Sequence, residues 1–270
     1  MPVERAAISL YIIYTNPLPG SDMNPNEPLL TPRELLAYRR RAGALQDFPP
    51  PETVVFAPQK SLAGYVLKKY STKQVKGFLG EFYLLKKFNG RIALSTGFGI
   101  GAPVVAGLAD EFAALGVRQF VLVGMAGGLQ ENLSAGDMLL STGAIRGEGV
   151  TRHYLPPGET VETSDHIRGR VAEILSNQKM PFSEGITWTT DAPFRELRRD
   201  VLAYQARGVL AVEMEAAGIL GVAKSCGLSA FAAFSVADLL SGGVWRMSAD
   251  LGRSQAGLGI LFDAVCEALK

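Results

Sequence analysis

Val209-Leu210-Ala211-Val212-Glu213-Met214-Glu215-Ala216-Ala217 passes from an apolar run into a helical pattern that continues through Ile219, Leu220 and Val222. A strand that hands over directly to a helix is a local sign of an α/β fold. Two carboxylates flank a methionine at this junction, inside apolar sequence where an unpaired charge is costly to bury. Two readings of the acids are open. Acidic side chains favour a helix N-terminus, so both can serve as caps. A carboxylate placed there can also accept two hydroxyl hydrogen bonds at once, which suits a cis-diol.

Working outward, the same alternation repeats. Strands are expected over 54–57, 78–88, 91–96, 119–123, 137–146, 186–190 and 230–236, with Asn89-Gly90 as a hairpin turn between the second and third. Helices are expected over 61–70, 102–115, from Ser164 or Asp165 to 177, over 195–206 and over 252–269. Several strands are apolar along their whole length, so both sheet faces should be covered. The expected fold is a single α/β domain: a central mixed, twisted sheet with helices on both sides.

Residues 1–52 read as an N-terminal extension of strand, loop and helix packed on a catalytic domain at 53–270. The extension has an apolar run over 7–14, a Pro- and Asn-rich loop over 17–32, and a helix that starts at Thr31-Pro32 with Glu34. That helix ends in Arg39, Arg40 and Arg41, where cations complement the helix dipole.

Composition narrows the partners. Lys and Arg number 27 against 26 Asp and Glu in 270 residues, so neither nucleic acid nor an acidic membrane is implied. Apolar residues at 47% and charged residues at 20% describe a chain with a substantial core. Cys226 and Cys266 lie in apolar helical patterns and read as small buried hydrophobes. No apolar run is long enough to cross a bilayer, and a cytoplasmic location is expected. No metal-ligand spacing is present in the sequence, and no cofactor is expected.

Two glycine-rich turns follow strands: Gly97-Phe98-Gly99-Ile100-Gly101 and Gly124-Met125-Ala126-Gly127-Gly128. Glycines there let backbone N–H groups approach an anion or a sugar closely. The first lacks the spacing of a dinucleotide fingerprint. Downstream stand Trp188-Thr189-Thr190-Asp191, the Glu-Met-Glu stretch, and Asp238 at the end of the 230–236 strand.

In this order and spacing, these segments resemble the nucleoside phosphorylase and nucleosidase superfamily, most closely its uridine phosphorylase and hexameric purine nucleoside phosphorylase branch. The resemblance runs from about Val54 to the C-terminus. It implies cleavage of the N-glycosidic bond of a nucleoside, with phosphate or water attacking the anomeric carbon. It implies that Glu215 binds the ribose hydroxyls and that Met214 packs beneath the sugar. Glu213, Phe194, Ala126 and Gly127 would shape the base pocket. Asp238 would be the acid that protonates N7 of a purine, and its plain structural alternative is a turn cap. Gly97, Gly124, Met125 and Lys60 would border the nucleophile.

Two departures from the family pattern bear on the reaction. The arginines and hydroxyl that hold phosphate in relatives fall here on Ala57-Pro58-Gln59-Lys60, Leu122 and Met125. Without guanidinium forks the bidentate phosphate grip is lost. Lys60, Lys76, Arg152 or Arg246 could supply substitute charge, though no motif marks them for it, and His153 sits beside Arg152 in the 147–157 loop. Second, the Gln of the uracil grip falls on Leu197, and Arg199 stands where its Arg would be. With Asp238 present, purine is favoured over pyrimidine. The implied reaction is phosphorolysis to free base and (deoxy)ribose 1-phosphate. The alternatives are a nucleosidase using water and a non-catalytic nucleoside-binding protein. The resemblance also implies a homo-oligomer, dimer or hexamer.

Overall fold

The computed structural model describes residues 27–270. The expected strand over 7–14 and most of the loop over 17–32 lie outside the described residues. Residues 27–31 close a short first unit, Met1–Thr31, and carry no helix or strand. Everything that follows belongs to the second unit, Pro32–Lys270.

Its strands are β1 (Thr53–Ala57), β2 (Thr72–Val75), β3 (Glu81–Leu85), β4 (Ile92–Thr96), β5 (Gln119–Gly128), β6 (Met138–Gly147), β7 (Thr160–Glu162), β8 (Phe182–Thr190), β9 (Ala211–Glu213), β10 (Ser229–Leu239) and β11 (Arg246–Met247). Its helices are α1 (Pro32–Arg41), α2 (Lys60–Lys69), α3 (Ala102–Leu115), α4 (Asp165–Asn177), α5 (Arg198–Ala206), α6 (Ala216–Ser225) and α7 (Gly252–Ala268). The expected α/β class and mixed sheet are present. The sheet also closes on itself: β5 pairs with β10, β10 with β6, β6 with β8, β8 with β9, and β9 with β5. Strands β1, β4, β3 and β2 extend from this ring as an open wing.

Both faces are covered because the strands alternate. Val54 and Phe56 of β1 enter one core with Phe112 of α3 and Ile219 and Val222 of α6. Val55 and Ala57 enter the other with Leu62 of α2, Val171 of α4 and Phe262 of α7. Each fully buried aromatic or aliphatic side chain contributes roughly 1.5–3 kcal/mol. Polar ties fix the outer helices. Tyr65 Oη donates to Asp263 Oδ2 at 2.5 Å and Tyr70 Oη to Oδ1 at 2.7 Å, joining α2 to α7. On the opposite side, Arg39 at the end of α1 pairs with Glu111 of α3 at 2.5 Å.

Several boundaries differ from expectation for physical reasons. The run 78–88 is not one strand: β3 is short and ends in a 3-10 turn, Lys86–Phe88, closed by Asn89 in the left-handed region. The edge strand β2 was not expected, because Thr72-Lys73-Gln74-Val75 buries only Val75. Gly124 to Gly128 are not a loop but the second half of β5, held between β10 and β9. Helix α5 begins at Arg198 rather than 195, since Pro193–Arg195 form a 3-10 turn first. Cys266 is buried, and burial pushes its thiol up to about 12, but Cys226 is exposed at the end of α6. No helix of the described residues is long and apolar enough to cross a membrane.

Candidate functional site

The carboxyl ends of β1, β4, β5 and β10 open on one side of the sheet, where ligands bind in parallel α/β sheets. A cavity of about 630 Å³ lies there, within the size range of small-molecule sites. Its wall comes from the ends of several elements: Gln59 after β1, Ile100 before α3, Met125 to Gly127 of β5, and Glu196 after the Pro193–Arg195 turn. Glu213, Met214 and Glu215 at the β9–α6 junction, Asp238 of β10 and Trp245 complete it.

Gly127 is the hinge of this geometry. It is the register partner of Val212 on β9 and of Asp238 on β10. A β-bulge between Val236 and Asp238 breaks the alternation of β10 there, and such an extra residue re-aims a side chain at a strand end. A Cβ at position 127 would lie 3.2 Å from Asp238 Oδ1 and 2.5 Å from Leu240 Cδ1, so only glycine leaves this space open. Trp245 Nε1 donates to Asp238 Oδ2 at 2.6 Å, fixing the carboxyl by one oxygen and leaving Oδ1.

The two acids around Met214 divide the readings between them. Glu213 is the cap. Its Oε2 accepts from the N–H groups of Glu215 at 2.8 Å and Ala216 at 2.7 Å, at the start of α6. Its Oε1 accepts from Thr189 Oγ1, which in turn accepts from Ala217 N at 2.9 Å. Thr189 thus locks the junction between β8, β9 and α6. Burial, then the charge of Glu215, hold the Glu213 carboxyl up at about 7 against these hydrogen bonds.

Glu215 does not cap α6 with its side chain. Its Oε1 reaches across to accept from Gly101 N at 2.6 Å, at the start of α3. Gly101 has φ 104°, a conformation open to glycine and not to other residues. The carboxylate therefore stands between the N-termini of two helices, whose dipoles favour negative charge. Burial still raises its pKa, opposed by the N–H groups of Gly101 and Met214. A carboxylate has about four acceptor sites, so these two bonds leave room for two hydroxyls.

The structure thus brings together Glu213, Met214, Glu215, Phe194, Ala126, Gly127, Met125 and Asp238 around one cavity. Other expected residues stand apart from it. Lys60 is exposed at the start of α2, Gly124 is buried in β5, and Gly97 lies against Glu81. Arg152 and His153 are exposed in and around the Thr151–His153 turn, with Arg152 Nε 3.4 Å from His153 Nε2. Arg199 pairs with Asp200 at 3.3 Å. Arg246 lines an adjoining pocket and donates to Ser241 Oγ at 2.6 Å.

Of the lining residues, Gln59, Ile100, Glu196 and Trp245 are among those not expected from sequence. Gln59 has a buried side-chain oxygen without a hydrogen-bond partner among the described residues, placed beside Gly124. Glu196 is half-buried, and burial followed by the charge of Asp238 pushes its carboxyl up to about 7. Trp245 and Ile100 are exposed at the rim, as is Phe194, at 97%. Glu196 showed only as a charge in a charged run and Trp245 only as an aromatic after Gly242-Gly243, while Ile100 lay within the first glycine-rich turn.

The cavity thus brings the buried carboxylate of Glu215, with acceptor positions to spare, together with Asp238, held by Trp245, and the exposed ring of Phe194. Comparison with known proteins agrees. Residues 57–256 match the model of the phosphorylase superfamily, and the chain belongs to that family. It is 30% identical over 181 residues to a DeoD-type purine nucleoside phosphorylase of Hahella chejuensis, covering 66% of this chain and 75% of that one. It is 25% identical over 158 residues to a uridine phosphorylase of Salmonella typhimurium, covering 53% and 62%. It is 32% identical over 143 residues to a guanosine phosphorylase of Halorubrum lacusprofundi, covering 51% and 57%. These names share a nucleoside and differ in the base.

Proposed function

We propose that this chain cleaves the N-glycosidic bond of a purine nucleoside by phosphorolysis, giving free base and a (deoxy)ribose 1-phosphate. The observation that carries this reading is that Glu215, Met214 and Asp238 line one cavity. Glu215 accepts hydrogen bonds from the sugar hydroxyls, and Met214 lies against the sugar. As the C1′–N9 bond breaks, its electron pair passes to the base and the sugar gains oxocarbenium character. Asp238, through the oxygen that Trp245 leaves open, donates a proton to N7. An oxygen of hydrogen phosphate bonds to C1′, and the proton carried by hydrogen phosphate replaces the one given to the base. Phe194 and Trp245 offer flat faces to the ring. The proposed chemistry uses no metal or cofactor, with phosphate as co-substrate.

Purine is favoured over pyrimidine because an acid stands at the base end, whereas Leu197 and the Asp200-paired Arg199 offer no amide or free guanidinium for uracil. A homo-oligomer is part of the proposal: Ile100, Phe194 and Trp245 are apolar, exposed and at the rim, where a second copy would cover them.

One observation favours a second reading. Among the described residues, no Lys or Arg lines the cavity, and its lining includes the neutral Gln59, Met125 and Ile100. Water in place of phosphate would make the chain a nucleosidase. The test is release of free base from a panel of purine and pyrimidine nucleosides with and without phosphate. Release that depends on phosphate supports phosphorolysis. Equal release without phosphate replaces it with hydrolysis, and saturable binding without release removes catalysis.

A further inference from the structure

The loop that carries Trp245 is held from outside the cavity. After Leu240 the chain turns through Gly242 and Gly243, both in the left-handed region with φ of 68° and 67°. Two such glycines have no side chains to pack, so backbone ties decide where the loop lies. Two of those ties come from α5. Arg198 Nε donates to Gly243 O at 3.1 Å, and Gln205 Oε1 accepts from Gly242 N at 3.0 Å. Arg198 and Gln205 stand at i and i+7, about two helical turns apart, and so face the same way. The stem of Arg198 also lies against the loop, since a Cβ on Gly243 would be 2.6 Å from Arg198 Cγ. Neither Arg198 nor Gln205 lines the cavity.

Helix α5 is itself anchored. Val201 packs with Trp188, Val212 and Leu240 in one buried cluster, and the Tyr204 and Trp188 ring centroids are 4.7 Å apart. Gln130 Nε2 donates to Gln205 O at 3.1 Å. Beyond the clamped glycines stands Trp245, after which Arg246 and Met247 pair with Leu239 and Asp238. The segment from Asp238 to Met247 is thus a hairpin with its tip tied to α5. Its indole donates back to Asp238 Oδ2 at 2.6 Å.

We propose that Arg198 and Gln205 are positioning residues for the acid: by clamping Gly242 and Gly243 they hold Trp245 where it fixes one oxygen of Asp238 and leaves the other for the base. This rests on the purine-nucleoside reading of the cavity, in which Asp238 is the acid. The clamp touches neither base nor sugar, and it reaches the reaction through the indole.

The test uses two variants of matched shape. Arg198→Gln puts an amide N–H where Nε stands, Arg198→Met puts a methyl group there, and both lose the charge. On the best purine nucleoside, Arg198→Met should lower kcat by about fivefold, the worth of one hydrogen bond, with a smaller change in KM. Arg198→Gln should stay within about twofold of the unaltered protein, because the donor is restored. Gln205→Met should behave as Arg198→Met does. Misfolding or loss of surface charge would instead lower Arg198→Met and Arg198→Gln alike. A double-mutant cycle with Trp245→Phe then isolates the route: kcat of Arg198→Met/Trp245→Phe should equal that of Trp245→Phe alone. Losses that multiply overturn the inference. So does an unchanged kcat in Arg198→Met, or an equal loss in Arg198→Gln. Each of these leaves the purine-nucleoside reading standing, whereas absence of base release from every nucleoside removes both.

Discussion

Asp238 stands opposite Gly127 in the register of β10 and β5, and its Oδ1 lies 3.2 Å from where a Cβ on Gly127 would be. The space beside the acid is therefore kept by a missing side chain. Gly127→Ala should force Leu240, whose Cδ1 would lie 2.5 Å from the new Cβ, to move, and press the Asp238 carboxyl, 3.2 Å away, to give by a few tenths of an ångström. Overpacking of this kind costs about 1–3 kcal/mol. Activity should fall further than stability, by about 100-fold in kcat, since small misplacement of a reacting group is expensive. Denaturant unfolding beside steady-state kinetics checks this, and equal, small losses in both would show that Asp238 tolerates the shift.

Asp238→Asn should lower kcat on the best purine nucleoside by about 100-fold or more, the usual worth of general acid catalysis, with little change in Tm. Trp245→Phe removes the indole donor to Asp238 Oδ2 and should produce a smaller loss of about tenfold. An Asp238→Asn variant with full turnover would take the acid out of the reaction.

Glu215 serves both the fold and the sugar, and two substitutions separate the roles. Glu215→Ala leaves the Gly101 N–H without its partner and should cost about 1–3 kcal/mol of stability. Glu215→Gln keeps one acceptor for Gly101 and should restore most of that stability. It lacks the second anionic oxygen for the diol, so the KM for nucleoside should stay at least about tenfold above that of the unaltered protein. Equal KM values for Glu215→Gln and the unaltered protein would place the sugar elsewhere.

Glu213 makes stability depend on pH. Its folded pKa of about 7 lies above the ordinary 4.5, so the native state binds this proton more tightly than the unfolded chain. The resulting stabilisation is complete below about 4.5 and is lost as the pH rises through about 7. The Tm of the unaltered protein minus that of Glu213→Gln should therefore fall between about pH 5 and about 8. A constant difference would mean that Glu213 stays ionised throughout.

What the sequence made legible follows from side-chain pattern. Long apolar runs such as those of β1, β5 and α6 announced themselves, and so did the Glu-Met-Glu junction. The second half of β5 did not, because Gly124, Gly127 and Gly128 carry no side chains to show a period. Their strand conformation comes from β9 and β10 on either side. Ring closure was likewise invisible, since it depends on pairings between distant strands. Within the site, Met214, Glu215 and Asp238 were legible through family resemblance. Glu196 was not, because within Arg195-Glu196-Leu197-Arg198-Arg199 it looks like part of a solvated charge run. Only the nearness of Asp238 sets it apart. Glu213 and Glu215 looked alike in sequence, and only hydrogen bonding distinguishes the cap from the carboxylate tied to α3.

The central claim is that this cavity transfers a sugar from a purine base to phosphate. The direct measurement is phosphorus NMR of the purified protein incubated with adenosine and inorganic phosphate. The account predicts a sugar 1-phosphate signal growing in step with free adenine, and its loss in Asp238→Asn. Adenine released at the same rate without phosphate, or no free base from adenosine, inosine or guanosine at saturation, would contradict it.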